Sequence, residues 1–290
     1  MNTAYSPGSL AIQAREGVQD LAAHVGRSIT NGIRPVAAAF LEAQPMLMLG
    51  TADAEARVWA TLLTGAPGFV RATGPHTISV AAPLPAGTPD DAKVGTLALD
   101  PRTRRRMRLN GTARTSGRGF TVEADQVFSN CPKYLQKREW YGSEPTGPEV
   151  AAARHGEVLT PDQVRLVRAA DTFFVATAAP DGLDTSHRGG NPGFVRVDTP
   201  GELSWRDYPG NSMFLTLGNL EEDGRAGLLF LDWETGLTLQ LSGLAHTEYG
   251  PEGRVTRFRV DRTTETPSGS PLRWSPPEYS PANPPLWSPR

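Results

Sequence analysis

Of the 290 residues only one, Cys131, is a cysteine, so no disulfide can close within the chain. That fits a reducing compartment, and a cytoplasmic location is the expectation. Histidine is scarce too: His24, His76, His155, His187 and His246 are scattered, and no spacing among them suits a metal site. No apolar run approaches the roughly 20 residues of a membrane span. Residues Met1 to Gly8 lack the basic and apolar regions of a signal peptide, so none is expected. Charge of either sign is not in excess; a net −2 gives no general pull toward nucleic acid or membrane. What is plentiful is glycine (30) and proline (26), which suits many short strands joined by turns.

In chain order, Leu10, Ile12, Val18, Leu21, Ala22 and Val25 recur at near-helical spacing and predict one helix over 9–31. Val36–Ala43 reads as a second, with Pro35 at its first turn. Strand-like runs follow at Met46–Leu49, Trp59–Leu63, Phe69–Ala72, Thr77–Ala81, Val94–Leu99 and Arg104–Arg114, with a Pro/Gly-rich loop over 83–91. The stretch Ser129–Trp140 reads as a turn into a basic helix, and 141–158 is linker-like. Thr160-Pro-Asp-Gln163 gives a capping box with proline at the first helical position, starting a helix that runs to about Ala170. From about Thr263 the Thr, Ser and Pro content predicts an extended tail.

One stretch stands apart: Asp184-Thr-Ser-His-Arg-Gly-Gly-Asn-Pro-Gly-Phe-Val-Arg-Val197. Gly189, Gly190 and Gly193 would let backbone N–H groups approach a ligand closely, and His187 and Arg188 are donors suited to a phosphate. A sheet-edge turn with a solvated arginine has the same composition. The stretch has an echo at Trp59–Arg71, with which it shares Gly-x-Pro-Gly-Phe-Val-Arg. There Leu62 and Leu63 stand in place of His187 and Arg188, so the scaffold is repeated and the polar chemistry is not.

The echo is part of a longer repeat. Thr51-Ala52 corresponds to Thr177-Ala178, Val94–Asp100 to Ala226–Asp232, and Asn110-Gly-Thr-Ala to Ser242-Gly-Leu-Ala. Pro67 and Pro192 are 125 residues apart, Asn110 and Ser242 are 132 apart. The extra residues of the second copy fall around Tyr208–Asn219. Arg102-Thr-Arg-Arg-Arg-Met-Arg108, read as a strand, places Arg102, Arg104, Arg106 and Arg108 on one face. That face is either a solvated one or a second wall for a ligand held by the other copy. Without interleaved aromatics it is a poor nucleic-acid surface.

Ser186-His-Arg-Gly-Gly-Asn-Pro-Gly-Phe-Val195, then Asp207-Tyr-Pro-Gly-Asn-Ser212, Leu217-Gly-Asn-Leu220 and Gly227–Asp232, resemble the pyridoxamine 5′-phosphate oxidase-like family. The resemblance implies a mainly β fold with peripheral helices: two FMN-binding-type split β-barrels in tandem, within an α+β arrangement. In that family, single barrels pair as homodimers and hold FMN between subunits, so a monomeric pseudo-dimer or a homodimer is expected. The divisions expected are a helical segment (1–45), a degenerate first barrel (46–140), a linker with connecting helix (141–172), a flavin-binding second barrel (173–262) and a tail (263–290). The cofactor implied is FMN, or FAD or another flavin analogue. Its expected holders are Ser186, His187, Arg188, Gly189, Arg206, Gly210, Asn211, Ser212 and Asn219, with Arg104, Arg106, Lys133 and Tyr134 from the first half. Cys131, near Lys133 and the start of the supposed basic helix, is open to a nucleophilic role or to a place in the pocket wall. The reaction class implied is electron or hydride transfer to or from a small molecule or redox partner. A non-enzymatic flavin-binding or sensing module is the competing class. Leu272-Arg-Trp-Ser-Pro-Pro277 does not match the Arg-, His- and Trp-rich end of true pyridoxamine phosphate oxidases, which argues against vitamin B6 oxidation.

Overall fold

Strand periodicity decides the architecture, because the central strands are apolar on both faces and so need two cores. The computed structural model describes residues 5–143, 152–251 and 253–286. Residues 144–151 of the linker-like stretch, residue 252, the first four residues and the last four lie outside them.

The first half contains α1 (Pro7–Arg15), α2 (Gln19–Gly26) and α3 (Pro35–Glu42). Its strands are β1 (Met46–Ala52), β2 (Val58–Thr64), β3 (Val70–Ala72), β4 (Thr77–Val80), β5 (Ala92–Asp100), β6 (Arg105–Ser116) and β7 (Gly119–Ser129). Between the halves come β8 (Trp140–Ser143), β9 (Arg154–Gly156) and α4 (Pro161–Ala169). The second half has β10 (Thr172–Ala179), β11 (Gly182–Gly189), β12 (Val195–Thr199), β13 (Glu202–Arg206), α5 (Leu215–Glu222), β14 (Arg225–Leu231), β15 (Thr238–Gly250) and β16 (Gly253–Thr266), followed by β17 (Leu272–Trp274). The first sheet runs β2-β1-β5-β6-β7-β4-β3 and the second β11-β10-β14-β15-β16-β13-β12, the same antiparallel path twice. Even the β-bulges match, at Asn110/Gly111 and at Ser242/Gly243.

Alternation along β1 sends Leu47 and Leu49 into the first barrel's core, with Ile78, Met107 and Phe120. Along β10 it sends Phe173 and Val175 into the second, with Trp205, Phe230 and Phe258. The opposite faces meet in a third core, where Met46, Met48, Leu97 and Leu99 join Phe174, Ala176, Leu229 and Leu231. The two barrels are therefore paired face to face within one chain. Gly95 and Gly227, equivalent positions, let them approach. A Cβ on Gly95 would lie 2.7 Å from the Asp184 backbone, and one on Gly227 2.6 Å from the Val58 carbonyl.

Several sequence expectations need correction. The helix predicted over 9–31 is two, because Gly17 (φ 67°) ends α1 in a left-handed cap, its N–H donating to Ala14 and that of Val18 to Gln13. The basic helix after Ser129 does not form; Pro132 and left-handed Tyr134 (φ 64°) make a turn instead. The arginine run is a strand only from Arg105. Asp100 accepts from the N–H of Arg102 and the hydroxyl of Thr103, and Arg104 closes that turn at φ 54°. The extra segment around Tyr208–Asn219, to which the sequence assigned no element, ends in α5. The C-terminal stretch is not a free extension: β16 runs to Thr266, β17 pairs with β8, and Ser280 donates its N–H to the Gln136 side chain. Among the described residues, no helix is long and apolar enough to cross a membrane.

Candidate functional site: a cation-lined cleft between the barrels

The site grows from the ladder register. In β11, Arg188 sits opposite Phe173 and His187 opposite Phe174, at the end of the strand that faces the first barrel. In β6, Arg106 and Arg108 share the face turned across the seam, since strand neighbours two apart lie on one side. The two strands come together through Arg106 Nη1, which donates to His187 Nδ1 at 2.7 Å, and Arg108 Nη1, which donates to Asp184 Oδ2 at 2.8 Å. Because a guanidinium only donates, His187 Nδ1 must be the acceptor and its proton sits on Nε2. That Nε2 is buried without a hydrogen-bond partner.

Around these side chains lies a partly open cleft of about 100 Å³. Its walls carry five cations (Arg106, Arg108, Lys133, Arg188 and Arg206) against one carboxylate, Asp207. Asp207 is already committed to Arg188 (3.2 Å) and Arg254 (3.4 Å), and Asp184 to Arg108. Among the described residues Arg106 pairs with no carboxylate; it bonds His187 and the Cys131 carbonyl (2.6 Å). Burial, then the charges of Arg108 and Arg188, push its pKa down to about 9, so it stays charged at neutral pH but is poorly compensated. Burial first, and then Arg106, Arg188 and Arg108, hold His187 well below the ordinary imidazole value, and it is neutral.

The remaining wall is the entry to α5. Gly210, Asn211 and Ser212 lead to Met213 and Phe214, and the first turn Leu215–Leu217 faces the cleft. The N-cap residue, Phe214, offers no side-chain cap, so the backbone N–H groups of that turn are not satisfied by it. Ser212 (φ 61°), Phe214 (φ 56°) and Tyr134 (φ 64°) all hold left-handed backbone and all line the cleft. Such conformations cost about 1–3 kcal/mol each outside glycine and gather at functional sites. A helix N-terminus opposite surplus guanidinium groups is an anion site by charge and by hydrogen bonding. The donor set suits a phosphate.

The cleft brings together His187, Arg188, Gly189, Arg206, Gly210, Asn211, Ser212, Arg106, Lys133 and Tyr134. Three other expected residues lie elsewhere. Ser186 is buried behind the wall, its hydroxyl shared with Thr216 and accepting from Arg188. Asn219 points away to Thr177 and borders a separate cavity of about 230 Å³ with Asn110 and Asp184. Arg104 turns outward to the Leu135 and Glu278 carbonyls and the Glu278 carboxylate, because its left-handed turn breaks the alternation. The glycines also serve the chain rather than a ligand. A Cβ on Gly189 would lie 2.0 Å from the Tyr134 carbonyl, and Gly190 packs under Phe194. Cys131 lines the cleft without a helix behind it.

No protein-family model and no curated protein matches the chain. Solved structures do. The chain is similar to HupZ of Group A Streptococcus at 17% identity, over 39% of this chain and 98% of that one, with a TM-score of 0.31. It is similar to a candidate pyridoxamine 5′-phosphate oxidase of Lactobacillus delbrueckii at 17% identity, over 37% and 93%, TM-score 0.30. An FAD-binding protein of Mycobacterium smegmatis aligns at 13% identity, over 39% and 97%, TM-score 0.28. The likeness is to pyridoxamine 5′-phosphate oxidase-like proteins. Each match takes in well under half of this chain and nearly all of the other.

Sequence reasoning missed Met213–Leu217 and Asp207 as wall residues, and placed Arg108 on the basic face without counting it among the expected flavin holders. Asn211, whose side chain accepts the Met213 N–H, was the available signal for a turn at this point.

Proposed function

We propose that the chain binds one flavin mononucleotide through this cleft and acts as a flavin-dependent oxidoreductase on a small molecule. The observation that carries the reading is the five-cation wall facing the N-terminus of α5, which has no side-chain cap, with Arg106 bonded to His187 and a carbonyl rather than to a carboxylate among the described residues. Arg188, Arg206 and Arg106, with the first-turn N–H groups, would hold the phosphate; His187 Nε2–H is a further donor nearby. Each charge-assisted hydrogen bond contributes about 1.5–3 kcal/mol, so three or four suffice for a mononucleotide. A partly open cleft of about 100 Å³ suits the phosphate end, with the rest of the nucleotide extending beyond it, so the cleft is an anchor. Bound flavin supplies electron or hydride transfer, and the chain's part is to fix and orient it. His187, neutral and bonded by Arg106, is suited to holding rather than to proton transfer.

Titration of apoprotein with FMN tests the reading, with absorbance and fluorescence as readouts. Saturation at one flavin per chain is expected; no binding, or two equivalent sites, overturns it. Reduction of the bound flavin by NADH or NADPH then separates an oxidoreductase from a module that only binds.

A further inference from the structure

Helix α1 belongs to neither barrel, yet it is fastened to the parts of α5 and β16 that stand behind the cleft. Gly8 and Gly218 bring α1 and α5 into backbone contact: a Cβ on Gly8 would lie 2.1 Å from the Gly218 carbonyl, and one on Gly218 2.5 Å from the Ser9 nitrogen. Ile12 is fully buried and Gln13 nearly so. Gln13 Nε2 donates to the Met213 carbonyl at 3.1 Å, Ser9 Oγ to the Phe214 carbonyl at 3.5 Å, and the Gly8 N–H to Glu222 Oε1 at 2.8 Å. Two of those three acceptors belong to the left-handed entry into α5. A strained non-glycine backbone persists only where its surroundings over-determine it, and here α1 supplies that determination.

The second connection is ionic. Glu16, the C-cap of α1, pairs with Arg254 Nη1. Arg254 Nε pairs with Asp207, and Asp207 Oδ1 with Arg188 Nη2. The Arg254 guanidinium also lies 5.1 Å over the Phe214 ring. All four charged side chains are largely buried, from 12% to 26% exposed. The order Glu16–Arg254–Asp207–Arg188 therefore runs from α1 to a wall cation. Without Glu16, Arg254 would draw Asp207 more strongly and leave Arg188 placed differently.

We propose that α1 positions the phosphate end of the cleft, through Gly8, Gln13 and Glu16, and so makes the chain select a phosphorylated flavin over riboflavin. This rests on the flavin reading above and names the device that would give it specificity. The test measures dissociation constants for FMN and riboflavin in wild type, Gly8→Val, which forces α1 off α5, and Glu16→Gln, which keeps the helix and removes one charge. Wild type should bind FMN at least tenfold more tightly than riboflavin. Gly8→Val should weaken FMN about tenfold and Glu16→Gln a few-fold, with riboflavin unchanged in both. Equal binding of the two flavins by wild type overturns the proposal, as does a parallel loss for both flavins, which would mark α1 as structural only. Unchanged FMN affinity in both variants overturns it as well. If wild type binds no flavin, the flavin reading fails separately, and inorganic phosphate followed by calorimetry takes its place. A tenfold loss of phosphate affinity in Gly8→Val then upholds the role of α1, and none defeats it.

Discussion

The two barrels follow one path and part company at a handful of side chains. Leu62 and His187 hold the same ladder position, opposite Met48 and Phe174, and Leu63 and Arg188 hold the next, opposite Leu47 and Phe173. Across the seam, Arg108 stands opposite Leu97 in β5, and Gln240 opposite Leu229 in β14. Each reaches into the other barrel. Arg108 meets the Asp184 carboxylate, whereas Gln240 donates to the Ala60 carbonyl and the Thr61 hydroxyl, 2.9 Å in each case. The reach is the same and the chemistry differs: a buried ion pair on one side, neutral hydrogen bonds on the other. Register is what the repeat preserves, and a cation-lined cleft can be present or absent with the register intact.

The largest test of that contrast is stability. Arg108→Ala leaves the Asp184 carboxylate, whose side chain is 5% exposed, without its cation and with only the Asn110 amide as a side-chain donor, and should cost about 3–5 kcal/mol in denaturant unfolding. Gln240→Ala at the twin position should cost about 1 kcal/mol. Equal losses would mean the ion pair differs little from the neutral contact.

Next in size is ligand affinity. Arg188→Ala should weaken FMN binding by about 1.5–3 kcal/mol, tenfold to over a hundredfold, with little change in melting. Leu63→Arg, the same side chain placed in the other barrel, should not create a second site, because that half has no α5 opposite it. Wild-type affinity in Arg188→Ala, or a second flavin in Leu63→Arg, breaks the comparison.

A smaller effect is expected in pH dependence. The folded chain holds His187 neutral, while the unfolded chain protonates it near pH 6.5. Stability from this residue is therefore complete above about pH 6.5 and is lost as pH falls below it, by up to about 1.4 kcal/mol per unit. His187→Leu, which copies Leu62, should flatten the difference between pH 6.5 and 5. An acid limb identical to wild type would show that another group carries it. The smallest expected effect belongs to Arg104→Gln. Its contacts are with Leu135 and Glu278, so flavin affinity and reduction potential should stay within about twofold and a few millivolts of wild type. A clear shift in either would return Arg104 to the cleft.

Much of this was legible from residues alone. The doubled Gly-x-Pro-Gly-Phe-Val-Arg and the period-two runs announce the repeat, because a strand's pattern survives whatever it faces. The cations of the cleft were legible as residue types, though not their order of importance. Helix α5 was hidden for a physical reason: Leu215 to Leu220 are buried all round, so no amphipathic period shows, and its N-cap is Phe214 instead of a hydroxyl or amide residue. Arg104 was misplaced because a basic run reads as a strand. The pairing of Asp100 with Asp232, and of Arg104 with Gly236 (φ 77°), carried the hint that a left-handed turn sits there. Tyr134 gave no such hint: its left-handed backbone sits where the chain crosses close over Gly189, a contact distant in sequence.

The seam closed by Gly95 and Gly227 joins halves of a single polypeptide. Two separate barrels holding such a face together would come apart on dilution, but a tethered pair meets at an effective concentration set by its connection and not by the solution. A substitution in a true two-fold dimer also strikes both sites at once. Here a mutation strikes one. The fused arrangement thus lets one cleft carry Leu62, Leu63 and Gln240 while its twin carries His187, Arg188 and Arg108, a difference that two identical subunits could not hold.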